Sequence, residues 1–145
     1  MAAHSHDFFD YLLKMQEEKR LQEGFPNASF GRAAYYPPCH TRSVYGDAPA
    51  LEVMRQTGAE VCPVRYSTCC GMAGTFGFKK GLEGYEVSMA VGETLFQRIR
   101  AVDPDFVMTE SGVCKMHIEH RTSLEVVHPA IALWQAYGKR AELTR

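Results

Sequence analysis

The chain holds five cysteines, and two of them are adjacent in Ser67-Thr68-Cys69-Cys70-Gly71-Met72-Ala73-Gly74-Thr75-Phe76-Gly77. Neighbouring cysteines cannot bridge each other without straining the peptide link between them, because disulfide geometry wants well-separated α-carbons. The pair is therefore expected to bind or to react. An odd number of cysteines on a chain with no secretory features argues against a disulfide framework and for reduced thiols kept for metal or redox chemistry. The glycine-rich stretch allows one other chemistry, a phosphate loop. Gly71-x-x-Gly74-x-x-Gly77 before Lys79-Lys80 matches neither the P-loop nor the dinucleotide fingerprint, so nucleotide binding is disfavoured.

Length and charge narrow the field further. A chain of 145 residues is expected to form about one domain with a core that needs no staples. Sixteen basic and seventeen acidic residues leave a net charge of -1, without a Lys/Arg block that could track a phosphate backbone or an anionic membrane, so nucleic acid is not an expected partner. The N-terminal stretch MAAHSHDFFDYLLKMQEEKR has only a short apolar run, interrupted by Asp10, and fits neither a secretion signal nor a transmembrane span. The expected location is cytoplasmic.

The elements that must position the thiols follow from hydrophobic periodicity. Phe8, Phe9, Leu12, Leu13 and Met15 recur near helical period in an opening helix, expected to pack as a lid or edge element, and Gly24-Phe25-Pro26-Asn27 breaks it. Arg32 to Tyr36 reads as a strand stopped by Pro37-Pro38, and Ala48 to Gln56 as a helix closed by Gly58. The unit recurs as Glu60 to Arg65 with a helix near Tyr85 to Val102, as Asp105 to Thr109 with a helix near Val113 to His120, and as Leu124 to Val127 with Ala130 to Ala141. Four strand-helix rounds predict an α/β fold, a single doubly wound layer with a mostly parallel four-stranded sheet and an N-terminal helix. The expected division is a helical segment over 1–24 and a cysteine-rich domain over 25–145.

Within that alternation Cys39 lies past the first strand, Cys69 and Cys70 past the second, and Cys114 past the third. Loops beyond the carboxyl ends of parallel strands form the binding crevice, so four thiols from three loops could meet at one point. Cys62, inside the second strand, is expected to be a small buried hydrophobe.

Cys39 in Pro37-Pro38-Cys39-His40, the Cys69-Cys70-Gly71 triplet and the loop Thr109-Glu110-Ser111-Gly112-Val113-Cys114 resemble the cysteine-rich CCG domain family. That domain occurs in the B subunit of heterodisulfide reductase, in the iron-sulfur subunit of glycolate oxidase and in the C subunit of anaerobic glycerol-3-phosphate dehydrogenase. The phrases GMAGTFGFKK, YEVSMAVGETLF, DPDFVMTE and HPAIAL look most like the C-terminal CCG domain of the last, so the resemblance runs from about Arg32 onward.

The resemblance implies a metal centre held by Cys39, Cys69, Cys70 and Cys114, with Gly71 at the cofactor. Family members bind an iron-sulfur cluster, in some an unusual non-cubane one, or zinc. Ser111 stands where the family has the first cysteine of Cys-x-x-Cys, and a serine hydroxyl is a hard, high-pKa donor that binds iron weakly. Four thiolates still satisfy a 4Fe-4S cubane or a tetrahedral zinc, whereas a five-thiolate, non-cubane centre is put in doubt. A single zinc taking both Cys69 and Cys70 needs a cramped chelate, which favours iron-sulfur. Gly71, Gly74 and Gly77 would let the backbone wrap close and aim amide N–H groups at the sulfurs.

Ser111, His40 and His128 are candidates for a substitute ligand or for hydrogen bonding around the centre. His117 and His120 are expected to face solvent or cap their helix, His4 and His6 to lie in a disordered terminus, and Trp134 and Tyr137 to pack in the core. The functional expectation is an electron-transfer module, itself non-catalytic, of a larger oxidoreductase, passing electrons to a quinone or disulfide acceptor. Its partners would be a ferredoxin-like domain and a flavin dehydrogenase, with any membrane association peripheral and through them. The ferredoxin-like C-x-x-C runs that such subunits carry upstream are missing, which points to a fragment or a domain that borrows its redox partner. Two alternatives stand beside this reading: a zinc-stapled interaction domain, and a metal-free thiol-disulfide domain using Cys69 and Cys70.

Overall fold

The computed structural model describes residues 5–21, 24–25, 31–46, 49–64, 69–79 and 83–138. In chain order the elements are α1 (Phe8–Glu17), β1 (Arg32–Tyr35), α2 (Cys39–Tyr45), α3 (Pro49–Gln56), β2 (Glu60–Pro63), a 3-10 turn (Phe76–Phe78), α4 (Gly84–Val102), β3 (Phe106–Met108), α5 (Gly112–Thr122), β4 (Val126–Val127) and α6 (Pro129–Ala136). Expectations resting on His4, Pro26, Asn27, Ala48, Arg65, Ser67, Thr68, Lys80 and the last helix beyond residue 138 lie outside the described residues.

Four strands pair in the order β2-β1-β3-β4, all parallel. Alternation along β1 sends successive side chains to opposite faces. Ala33 and Tyr35 join Phe9 of α1, Val53 and Met54 of α3, Met108, and Leu133 of α6. Ala34 and the next residue, Tyr36, join Leu95, Phe96 and Ile99 of α4 and Cys114 and Ile118 of α5. Helices therefore cover both faces, as the α/β expectation requires. Phe9 is fully buried, worth about 1.5–3 kcal/mol, so α1 is tied to the core by its apolar stripe rather than by helix propensity alone. Asp7 caps α1 by accepting hydrogen bonds from the Phe9 and Asp10 amides at 2.9 and 3.3 Å.

The strand order matters for function. The chain steps from β1 outward to β2, then returns across β1 to place β3 on its other side. The direction of winding thus reverses between β1 and β3, and the loops leaving those two strands part to form a crevice. Cys39 begins the first loop's helix, and Ser111 to Cys114 begin the second's.

Several expectations are corrected. Cys39–Tyr45 is a helix where a loop was expected, because Pro38 at its N-cap position ends the strand and suits a helix start equally well. Cys62 is only half-buried: β2 is an edge strand, and the Cys62 sulfur lies 4.0 Å from the Glu60 carboxylate. Trp134 is 43% exposed on the outer side of α6, while Tyr137 packs against Phe25 with ring centroids 4.9 Å apart. His117 is buried rather than solvent-facing. His6 is anchored beside Asp10 at 3.6 Å and Lys14 at 3.1 Å.

Two close approaches fix the loop after β2 against α4. Gly71 has φ +94°, and a Cβ there would sit 2.0 Å from the Ser88 carbonyl oxygen. On the helix side, a Cβ at Gly92 would meet the Cys70 carbonyl oxygen at 2.5 Å. Beyond β3, Tyr35 donates a 2.5 Å hydrogen bond to Glu110 Oε1, tying the ends of β1 and β3 together on the face opposite the cysteine-bearing core. Among the described residues, the buried Oε2 of Glu110 and Oγ1 of Thr109 find no hydrogen-bond partner.

Gly71→Ala is expected to destabilise by about 1–3 kcal/mol through the combined clash and left-handed backbone, whereas Gly112→Ala, with open space around its Cβ in a helical first turn, is expected to be neutral or stabilising by up to about 1 kcal/mol. Chemical denaturation of the two variants measures the contrast, and equal stabilities would remove the loop-helix constraint.

A pH dependence follows from Glu110. Burial raises its carboxyl pKa above the ordinary 4.5, so the folded state retains a proton that the unfolded chain gives up in that window. Stability contributed by the protonated form is complete below 4.5 and is lost as pH rises through the folded value. Glu110→Gln keeps an acceptor for Tyr35 without the ionisation. The melting temperature of the variant should gain on that of the native chain as pH rises from acid through neutrality; parallel curves would exclude a buried, proton-holding Glu110.

Candidate metal centre

The Cys69-Cys70-Gly71 turn and the first turn of α5 bring two thiols together from different loops. Cys70 Sγ lies 3.0 Å from Cys114 Sγ, and both residues are buried. That distance is a hydrogen-bonded contact, well outside the length of a disulfide bond, about 2.05 Å. Two buried sulfurs so close cannot both ionise cheaply, so their titrations are coupled. The hydrogen bond to Cys114, with burial adding, pushes the pKa of Cys70 up to about 12. Cys114 is lowered, first because it receives that hydrogen bond and further because of the Ser111 hydroxyl, against the opposing effect of burial.

Local sequence explains why Cys114 is the more acidic of the two. Ser111 is the N-cap of α5, and its Oγ accepts the Cys114 amide hydrogen bond at 3.4 Å. Cys114 therefore occupies the first helical turn, where the positive end of the helix favours a negative sulfur. Ser111 is held in place by this capping bond, so its oxygen has a structural occupation in the position where the family resemblance leads one to look for a ligand.

Around this pair stand residues that the sequence reading missed. His117, one turn after Cys114, donates Nδ1–H to the Cys70 carbonyl at 2.7 Å, which leaves Nε2 facing Met89 Sδ at 2.9 Å. Its ring packs edge-on to Phe96 at 5.2 Å. The spacing Cys114-x-x-His117 on a helix was the available signal, since residues three apart share a face. Tyr36 is wholly buried, and its phenol pKa is raised by burial and by the neighbouring Cys114, Cys70 and Cys69 sulfurs. Ser88 and Gly92, four apart on α4, form the wall behind the turn.

The other candidates are distributed unevenly. Cys69 is half-buried against the same core, and the Gly71 amide donates to its sulfur at 3.4 Å, the kind of N–H contact expected of these glycines. Cys39 is exposed at the start of α2, near enough that its charge acts on Cys114. Among the described residues no three His, Cys, Asp or Glu side chains converge closely enough to hold a metal ion, so the expected meeting of four thiols at one point is here a tight pair with two further thiols at its margin. His40 is exposed, and its carbonyl accepts from the Ser43 hydroxyl. His128 caps α6, accepting from the Ala130 amide at 3.1 Å, and stacks on Phe9, a member of the opposite core. Burial lowers its pKa. Cys62 lies apart on the edge strand.

The donor set suits a soft metal centre. Thiolates select zinc and iron-sulfur clusters over hard cations, and this site supplies a thiol whose pKa is lowered, a second thiol in contact with it, and the Gly71 amide N–H directed at the Cys69 sulfur. Cys70 and Cys114 in contact, with Cys69 and Cys39 at their margin, are of the chemical type that such a centre takes.

The chain is 40% identical over 105 residues to the C subunit of anaerobic glycerol-3-phosphate dehydrogenase from Escherichia coli strain K12 and, equally, from Escherichia coli O157:H7, covering 72% of this chain and 26% of each relative. It therefore spans about a quarter of the length of those relatives. No solved structure gives a significant match. The CCG cysteine-rich domain profile matches residues 33–119, a span that contains all five cysteines, and the chain belongs to that family.

Proposed function

We propose that this chain is an iron-sulfur electron-transfer module of a larger oxidoreductase, with Cys39, Cys69, Cys70 and Cys114 as the thiolate ligands. The observation that carries the reading is the buried Cys70–Cys114 contact, in which two loops from across the sheet deliver sulfur to one point and a helix terminus favours ionisation of Cys114. Bound there, an iron-sulfur cluster supplies reversible one-electron chemistry.

The protein's own part is to position and to insulate. Gly71 and Gly92 allow the turn to seat against α4, His117 fixes the Cys70 carbonyl, and Tyr36, Phe96 and Ile118 keep that side of the site in apolar surroundings. The Gly71 amide at Cys69 is the type of contact that adjusts the potential of a sulfur-ligated centre. The kinship with the C subunit of a dehydrogenase supports a place between a dehydrogenase and a quinone or disulfide acceptor, with flavin and ferredoxin-like partners on the donor side. Among the described residues no helix is long and apolar enough to cross a membrane, so a membrane-borne acceptor would be reached at the surface or through a partner.

A second reading has one observation in its favour. The 3.0 Å contact would let Cys70 and Cys114, rather than adjacent Cys69 and Cys70, close a disulfide by thiol-disulfide exchange, their two electrons and two protons passing to a disulfide substrate that leaves as two thiols. It gives Cys69 and Cys39 nothing to do, which is why it ranks second.

Anaerobic reconstitution of the full chain with iron and sulfide should yield bound iron, acid-labile sulfide and visible absorption. Cys70→Ala should lose all three while keeping its circular dichroism, and Cys62→Ala should retain them. Iron and sulfide kept by Cys70→Ala would sink the ligand assignment. Zinc without sulfide would instead mark a structural domain, and a metal-free protein that cycles a Cys70–Cys114 disulfide would mark a thiol enzyme.

Ser111→Cys separates capping from ligation. Cysteine is the poorer cap, so unfolding should become easier by about 1 kcal/mol in the metal-free protein, while iron retained after chelator challenge should rise if position 111 faces the centre. Unchanged iron retention would leave Ser111 as a cap alone.

A further inference from the structure

A pocket of about 370 Å³ opens beside the cysteine pair, between the 3-10 turn, α4 and α5. Its apolar lining comes from Met72, Phe78 and Met116, and its polar lining from Tyr85, His117 and His120. Two of these residues join it to the cysteines. Met72 follows Cys70 by two positions, and His117 lines the pocket while its Nδ1 holds the Cys70 carbonyl.

The lining chemistry restricts the occupant. The volume is near the lower end of small-molecule sites, about 300–1,000 Å³, which suits one small ring system rather than a peptide. Phe78 and Met116 are each about half-exposed at its mouth, so a flat apolar ligand would remove large hydrophobic surface from water. Methionine sulfur beside an aromatic face is itself favourable. No Lys, Arg, Asp or Glu lines the pocket among the described residues, which disfavours a small disulfide carrying carboxylate, phosphate or sulfonate groups. One polar pair remains. Tyr85 Oη and His120 Nε2 lie 2.8 Å apart, and with the imidazole N–H donating to the phenol oxygen, the Tyr85 hydroxyl proton is left to meet a carbonyl oxygen.

We propose that this pocket binds the head group of a quinone-class acceptor, with the ring against Met72, Phe78 and Met116 and a ring carbonyl on the Tyr85–His120 pair. The proposal rests on the electron-transfer reading for its choice between the two acceptor classes. It makes Tyr85 and His120 binding residues and leaves the sulfurs on the other side of His117's hydrogen bond to Cys70.

The test uses the full chain and a tail-free naphthoquinone methylated at both free ring carbons, which therefore does not alkylate the protein's thiols. Binding is read by amide chemical-shift mapping and by equilibrium dialysis, first on metal-free protein and then after iron reconstitution. Shifts should concentrate around residues 72–78, 85 and 116–120. Met116→Trp, which fills the mouth from a half-exposed position, should abolish binding, and Tyr85→Phe should weaken it about fivefold, one hydrogen bond's worth. Shifts confined to another face, or native affinity in Met116→Trp, would overturn the pocket assignment, as would glutathione disulfide binding there as well as the quinone. Iron analysis on the same samples keeps the two readings apart. Quinone binding by a chain that takes up no iron would uphold the pocket and defeat the electron-transfer reading; iron uptake without quinone binding would defeat the pocket alone.

Discussion

The backbone of Cys70 and Gly71 lies so close to α4 that neither side of the contact has room for a side chain. A Cβ at position 71 would sit 2.0 Å from the Ser88 carbonyl oxygen, and one at position 92 would sit 2.5 Å from the Cys70 carbonyl oxygen. Packed interiors do not absorb such overlaps, so this contact fixes the height and direction of the turn on the helix. The rest of the site depends on it. With the turn seated, Cys70 reaches across to Cys114, its carbonyl meets His117, and Met72 is directed into the wall of the neighbouring pocket. A one-atom change at either glycine would move all of these together.

The two faces of the sheet are used differently, and β1 shows the division most simply. Tyr35 and Tyr36 are consecutive and both buried, yet they answer to opposite chemistries. Tyr36 lies against sulfur, and negative charge there raises its pKa beyond the effect of burial. Tyr35 points to the other face, where its hydroxyl donates to Glu110 and where burial favours the protonated carboxyl. Thr109 to Cys114 serves both faces in one short run. Glu110 closes the end of the sheet on one side, Ser111 starts α5, and Cys114 presents its sulfur on the other.

Much of this was legible in the chain, for reasons that separate clearly. The parallel sheet and its helices follow from apolar runs punctuated by glycine and proline, and the convergence of Cys70 with Cys114 follows from their positions past strand ends. The features hidden from the sequence depended on tertiary position. Cys62 reads as buried from Val61-Cys62-Pro63-Val64, but nothing in four residues says that β2 lies at the edge of the sheet. His117 reads as a surface residue on a helix of weak amphipathic character, and only the Cys70 carbonyl explains its burial. Trp134 looks like core by residue type, and α6 instead buries Ala132, Leu133 and Ala136. The α2 helix was hidden because Pro37-Pro38 marks the end of a strand but is equally compatible with a loop or a helix after it.

The gradient of exposure across the thiols is itself an argument about how such a centre would be assembled and reached. Cys70 and Cys114 are buried, Cys69 is half-buried and Cys39 is exposed. A thiol in apolar surroundings resists ionisation; of the buried pair it is Cys114 that has the local help, from the Cys70 hydrogen bond, the Ser111 hydroxyl and the α5 terminus. For the ligand set proposed above, the Cys70 proton, which the Cys114 hydrogen bond and burial hold up to a pKa of about 12, would be the costlier of the buried pair's to displace. Because that proton is held by the Cys114 sulfur itself, a cation that neutralises Cys114 also loosens Cys70, so that occupation of one ligand favours occupation of the next.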